Sequence, residues 1–206
     1  MPSPGFLAQV TDWAHSLLDE IILPGDTLLD LTAGNGHDTL FLARRMGETG
    51  TLLAFDVQPA ALAASERQLR AADFSPRRID APQRIARPGI YLIADSHHCL
   101  DRYLAAEVRA AIANLGYLPG SDKRVMTRPE TTEAALRLTL DALAPGGRLA
   151  VVAYCGHPGG EEETAAVQAL FAALPAAEFD VLQLTAANHR CAPLLLVAER
   201  RPVEIA

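Results

Sequence analysis

The chain opens with an apolar stripe at helical spacing, Leu7, Val10, Ala14, Leu17, Leu18, Ile21 and Ile22, which Pro24-Gly25 then breaks. Residues three and four apart share one helix face, so residues 1–24 predict an amphipathic N-terminal helix packed on the rest of the chain. A strict alternation comes next. Short apolar runs of strand type cover Thr27–Leu31, Thr51–Phe55, Ile90–Ala94, Val108–Leu115 and Arg148–Cys155. Helical patterning covers Asp38–Met46, Ala60–Ala71, His98–Ala106, Glu130–Leu143 and Glu161–Leu174. A crossover helix returns the chain to the same end of a sheet, so this alternation predicts a doubly wound α/β fold with helices on both faces. The C-terminal part differs. Phe179–Thr185 and Leu194–Glu199 are strand-like with no helix between them, which predicts an antiparallel pair and a seven-stranded, mostly parallel sheet. No internal repeat or low-complexity tract interrupts the pattern.

Composition narrows the class. At 206 residues, 50% of them hydrophobic, the chain is expected to form a single domain over 1–206 with a sizeable core. Met1 to His15 carries no leading Lys or Arg, and Asp12 and Trp13 stand where an export signal needs an unbroken apolar stretch. Runs such as Leu149 to Cys155 fall far short of the ~20 residues that cross a bilayer. Cys99, Cys155 and Cys191 are an odd number without metal-type CxxC spacing, and read as reduced core or near-core thiols. These features point to the cytoplasm. A formal net charge of −7 argues against a broad basic face for nucleic acid, so any RNA contact must be local.

The first strand runs into Asp30-Leu31-Thr32-Ala33-Gly34-Asn35-Gly36-His37-Asp38-Thr39, a glycine-containing turn between the carboxyl end of a strand and a helix, where such sheets bind ligands. Gly34 and Gly36 permit close backbone approach, while Asp30 and Asn35 can hydrogen-bond an amino acid moiety. Asp56 ends the second strand, where an acid can accept both hydroxyls of a ribose. A dinucleotide fingerprint wants a third glycine at position 39, which is Thr39, so S-adenosylmethionine is favoured over NAD. The plainer alternative is a structural turn, with Asp56 capping the next helix.

The fourth strand ends in Asn114-Leu115-Gly116-Tyr117-Leu118-Pro119-Gly120. Amino-directed methyltransferases place an Asn or Asp, small residues and an aromatic here, so that oxygens hold an amine while a ring stacks on a base. Methyl transfer needs a neutral nitrogen in line with the sulfonium methyl, so positioning and proton acceptance are the tasks of such a site. Alternatively, Asn114 and Gly116 only shape a turn and Tyr117 fills a gap.

Taken together, DLTAGNGHDT (Asp30 to Thr39), FDVQ (Phe55 to Gln58), Ser96-His97, NLGYLPG (Asn114 to Gly120) with Asp122-Lys123, and YCGHPGG (Tyr154 to Gly160) resemble one bacterial family. These are the tRNA 5-aminomethyl-2-thiouridine methyltransferases of the MnmM or YtqB type, first labelled rRNA methylases. The resemblance runs from the opening helix nearly to the C-terminus. It implies a Rossmann-like class I S-adenosylmethionine-dependent fold and methylation of the aminomethyl group on the tRNA wobble uridine, with no metal. By position it puts Asn35, Gly36, Asp38, Asp56, Gln58, Ser96 and His97 around the cofactor, beside Asp30, Gly34 and Thr39 of the same loop. Asn114, Gly116, Tyr117, Leu118, Tyr154 and His157 fall toward the uridine, with Asn114, Tyr117 and His157 as the candidate catalytic residues. The expected partner is the anticodon loop of tRNA, with a second copy of the chain as a further candidate and no membrane.

Several of these residues have plainer readings. Ser96 and Asp38 are suited to cap the helices beside them, and His97 and His98 to be ordinary hydrogen-bonded or surface residues. Thr127 to Glu130 fits a capping box. His157 can accept the amine proton, its ordinary pKa lying near working pH, or its loop can simply start a helix whose first turn, Glu161 to Glu163, suits the helix dipole. Ala113 stands where relatives commonly have Phe, and Phe74 to Pro88 is rich in Arg and Pro. Arg77, Arg78, Arg84 and Arg87 there either touch RNA phosphates or are merely solvated. Two other functional classes stay open: an N-methyltransferase for ribosomal RNA or a small amine, and a cofactor-binding module without turnover.

Overall fold

Side-chain alternation along the strands decides the architecture, because successive residues of a strand point to opposite faces of its sheet. The computed structural model describes residues 9–116, 129–156, 159–189 and 191–202. In chain order the elements are α1 (Val10–Asp19), β1 (Thr27–Asp30), α2 (His37–Ala43), β2 (Thr51–Phe55), α3 (Pro59–Ala71), β3 (Arg77–Ile79) and β4 (Gly89–Ile93). A short 3-10 helix (His97–Arg102), β5 (Val108–Asn114), α4 (Pro129–Ala142), β6 (Leu143–Ala153), α5 (Gly160–Ala172), β7 (Phe179–Thr185) and β8 (Leu194–Arg200) follow.

The strands form one sheet in the order β3-β4-β2-β1-β5-β6-β8-β7. Pairs from β3 through β6 are parallel, while β8 runs antiparallel to both β6 and β7. One set of strand residues, including Leu28, Leu52, Leu92, Ile112, Val152 and Val197, packs against α1, α2 and α3. The alternate set, including Leu29, Leu53, Ile93, Ala111 and Val151, packs against the 3-10 helix, α4 and α5. Burial on both faces is why the central strands read as continuous apolar runs.

The sheet has eight strands, not the expected seven. The addition, β3, pairs in parallel with β4 through Arg77–Tyr91, Arg78–Leu92 and Ile79–Ile93. Of its three residues only Ile79 is buried, so its strand character comes from pairing and leaves no apolar run to read. The helix expected over His98–Ala106 is a 3-10 turn over His97–Arg102, and β6 starts earlier than expected, at Leu143, with a register shift against β5. Cys99 is buried and Cys155 half-buried, but Cys191 is exposed, so it is not a core thiol.

Strand order reverses between β1 and β5: the chain leaves β1 toward β2 on one side, and β5 enters on the other. Parallel α/β sheets open a crevice at the carboxyl edge beside such a reversal. Asp30 and Asn114 end the two strands that flank it. Arg148 of β6, level with Ala110 of β5 and Leu28 of β1 away from that edge, fastens α1 to the sheet. Its guanidinium donates to the Leu17 carbonyl, to Glu20 at 2.8 Å and to Glu199 of β8 at 2.5 Å. No helix among the described residues is long and apolar enough to cross a membrane.

Candidate active site

The turn after β1 is held from three sides. Gly36, with φ +85°, is the N-cap of α2 and adopts the left-handed region that favours glycine. A Cβ there would meet Ser65 Cα of α3 at 2.6 Å, so the missing side chain also lets α3 close on the turn. Ser65 is fully buried, and its hydroxyl donates to the carbonyls of Ala33 and Gly34 at 3.3 and 3.1 Å. Beneath, Asp30 is fully buried and accepts from the Thr32 amide at 3.0 Å and the Thr39 hydroxyl at 2.5 Å. Thr39 is equally buried. The polar atoms of Asp30 and Thr39 therefore serve the turn itself. Burial, and then the nearby charge of Asp38, push the Asp30 carboxyl up to about 7.

Asp56 closes the third side. One carboxylate oxygen accepts from the Gly34 amide at 3.0 Å and the other from the Gln58 amide at 2.8 Å. The Val57 amide also faces the carboxylate, so of its roughly four acceptor sites about one stays open to a further donor such as a hydroxyl. Burial raises this carboxyl and the backbone amides oppose the rise. Gln58 is the N-cap of α3 and makes no side-chain cap bond, and both it and Asn35 are half-buried, so their amides remain in reach of a ligand at the turn.

At the end of β4, the His97 Nδ1 lies 3.0 Å from the Leu31 carbonyl. A carbonyl only accepts, so Nδ1 carries the proton and Nε2 offers a lone pair. Burial lowers the pKa of the ring, which keeps it neutral. Nε2 is buried and has no partner. An orphaned buried acceptor beside the glycine turn fits a donor such as the amino groups S-adenosylmethionine carries at both ends. Ser96 does not cap the 3-10 helix: its hydroxyl pairs with Nδ1 of exposed His98 at 2.7 Å.

The acceptor side gathers around Asn114. Its amide N–H donates to Thr32 Oγ1 at 2.7 Å, and its side-chain Nδ2 donates to Asp38 Oδ2 over a long 3.4 Å. Asp38 sits in the first turn of α2 and makes no cap bond, for its other oxygen lies 2.6 Å from His15 Nε2 of α1. Burial raises the pKa of Tyr154, and the Thr11 and Asn114 side chains beside its hydroxyl oppose the rise. Gly116 follows with φ +142°. Tyr117, Leu118 and His157 lie outside the described residues, as do Asp122, Lys123 and Thr127. Among the four arginines weighed for RNA, three are tied within the chain: Arg77 over the Tyr91 ring at 5.8 Å, Arg78 to Glu66 at 3.1 Å, and Arg84 to the Leu104 carbonyl.

The described residues among those predicted from the sequence thus converge on one edge of the sheet, at the ends of β1, β2, β4, β5 and β6. Three others were not anticipated: Ser65, Thr11 and His15 sit on helices distant in sequence from the motifs. No group of three or more metal-binding side chains occurs among the described residues.

The family model described as "Putative rRNA methylase" matches residues 52–200. The chain belongs to this family. It is 32% identical over 200 residues to the tRNA (mnm(5)s(2)U34)-methyltransferase, chloroplastic, of Arabidopsis thaliana, a match covering 94% of this chain and 70% of that protein. The crystal structure of an rRNA-methylase from Clostridium thermocellum superposes with a TM-score of 0.83 at 34% identity, covering 93% of this chain and 97% of that one. A methyltransferase from Streptococcus mutans in complex with SAH superposes with a TM-score of 0.79 at 30% identity, covering 93% and 98%. Members of this rRNA-methylase family are S-adenosylmethionine-dependent methyltransferases, and so is this chain.

Proposed function

We propose that the protein methylates the aminomethyl nitrogen of 5-aminomethyl-2-thiouridine at the wobble position of tRNA. The observation that carries this reading is the 32% identity, over 94% of the chain, to a protein named for that product nucleoside. The acceptor geometry agrees with it, since a side-chain amide backed by a carboxylate suits an amine.

S-adenosylmethionine, when bound, supplies an electrophilic methyl on a sulfonium sulfur. The residues proposed to hold it are Gly34, Asn35 and Gly36 through the turn, Asp56 through the ribose hydroxyls, and Gln58, Ser96 and His97 around the remaining polar groups. Asp30 and Thr39 support the turn from within. On the acceptor side, an alkyl amine is protonated at neutral pH and must arrive with its lone pair free. The oxygen of Asn114 accepts one N–H and aims the lone pair at the methyl carbon. With the amine so held, the bound cofactor would supply its methyl to nitrogen, the electron pair of the carbon–sulfur bond staying on sulfur, and the extra proton of the nitrogen would pass to solvent water. Tyr154 walls the site on the β6 side.

The test is transfer of labelled methyl to three acceptors: tRNA carrying 5-aminomethyl-2-thiouridine, the same tRNA lacking the aminomethyl group, and ribosomal RNA. Label on the first alone is expected. Label on ribosomal RNA or equal label on both tRNAs overturns the substrate, and no label on any acceptor despite cofactor binding overturns turnover itself.

A further inference from the structure

The N-terminal helix contributes more than packing. His15 and Thr11 of α1 lie one turn apart, and both reach the acceptor side: His15 bonds Asp38 at 2.6 Å, and Thr11 stands beside the Tyr154 hydroxyl. His15 is firmly held. Its ring stacks on Phe41 of α2, with centroids 4.0 Å apart and planes 4° from parallel. The Arg45 guanidinium lies 5.2 Å from the other ring of that stack, Phe41, and bonds Asp19 of α1 at 2.5 Å, so α1 and α2 are clamped around the pair.

A carboxylate accepts hydrogen bonds and donates none, which fixes the polarity of the chain of contacts. Nε2 of His15 must carry the proton directed at Asp38 Oδ1. The amide end of Asn114 facing Asp38 Oδ2 must be the amino end. An Asn side chain turned by half a rotation would present oxygen to oxygen, so Asp38 determines that Asn114 Oδ1 faces away from it. The Asp38 side chain is only 7% exposed. Water therefore gives little help in holding the carboxylate, and His15 is its second anchor.

We propose that His15, acting through Asp38, is a positioning residue that fixes the Asn114 amide with its oxygen toward the acceptor amine. The inference rests on the role of Asn114 in the proposed function. Without His15, Asp38 loses a short hydrogen bond and is free to rotate, and the long contact to Asn114 is the first to go. A misplaced acceptor slows transfer far more than it weakens binding.

The test uses the full-length protein with His15→Ala, His15→Gln, Asp38→Asn and the double variant His15→Ala/Asp38→Asn. Methyl transfer to the aminomethyl tRNA gives kcat and KM, and calorimetry gives cofactor affinity. His15→Ala is expected to lower kcat by roughly 10- to 100-fold, with cofactor Kd and tRNA KM changed less than about 3-fold. His15→Gln keeps an N–H within reach of Asp38 and is expected to recover most of the rate. The double variant should be no slower than the slower single variant, because both act through one contact. A His15→Ala enzyme within about 2-fold of the wild-type kcat, a loss confined to cofactor affinity, or additive losses in the double variant would overturn the proposal. If His15→Ala does not fold, His15→Gln and Asp38→Asn decide: an inactive but folded His15→Gln overturns it. Failure of the substrate reading looks different, because the wild-type protein itself then transfers no methyl to this tRNA.

Discussion

Asp30 and Asp56 end neighbouring strands, yet burial gives their carboxylates different tasks. Asp30 is sealed off and its carboxyl is pushed up to about 7, against an ordinary aspartate value near 3.9. Between those values the folded protein holds more protons than the unfolded one, so this group makes stability fall as pH rises from about 4 to about 7. Asp30→Asn keeps an oxygen for the Thr32 amide, offers its amino group to Thr39 Oγ1, and removes the titration. Its melting temperature is expected to gain on the wild type as pH is raised from about 5 to about 8 in thermal scans, whereas a constant difference would show that Asp30 does not titrate there. Asp56 is half-buried and keeps an acceptor site open beyond its backbone amides. Asp56→Asn turns an amino group against at least one of the backbone amides that meet the carboxylate and loses a charged acceptor, so cofactor binding by calorimetry should weaken about 10- to 100-fold. Asp56, the two glycines and Asn114 were legible in the sequence because each stands at a strand end within a short motif. His15 was not: it meets Asp38 from 23 positions away, and an apolar stripe does not tell which polar neighbours of that stripe face a site.

At the scale of elements, the site depends on two junctions. The first is the contact of α3 with the glycine turn. Gly36→Ala combines a left-handed backbone with a Cβ set 2.6 Å from Ser65 Cα, and is expected to cost about 2 kcal/mol or more in chemical denaturation and to weaken cofactor binding in parallel. Wild-type stability in this variant would mean that α3 can back away freely. The second is Arg148, which joins α1 to β6 and β8. Its ion pairs are partly exposed and are discounted accordingly. Arg148→Met should still cost about 1–2 kcal/mol, with much of the loss coming from the Leu17 carbonyl left without its donor. The N-terminal helix was readable because its apolar positions repeat with helical period, and seven strands because each is a short, mostly apolar run bounded by turns or helices, which burial on both faces explains for the central ones. β3 was not, since a three-residue edge strand with one buried side chain has no period to detect, and its pairing partner Tyr91–Ile93 is supplied by the rest of the fold.

At the scale of the whole molecule, the doubly wound sheet brings motifs from the ends of β1, β2, β4, β5 and β6 to one edge, and the reversal between β1 and β5 opens the crevice beside Asp30 and Asn114. The alternation of strands and helices was enough to read that topology, with the antiparallel pair at its far side. The acceptor half was less legible, because it joins α1, α2, β5 and β6, and contacts among four elements leave no mark at fixed spacing. The central claim is that this edge methylates an exocyclic amine on tRNA. Its most direct test is nucleoside mass spectrometry of tRNA bearing 5-aminomethyl-2-thiouridine after incubation with the protein and S-adenosylmethionine. Conversion of that nucleoside to 5-methylaminomethyl-2-thiouridine, abolished in Asn114→Ala, is the predicted result. An unchanged nucleoside in the presence of bound cofactor, or a methyl group on any other nucleoside, would contradict the account.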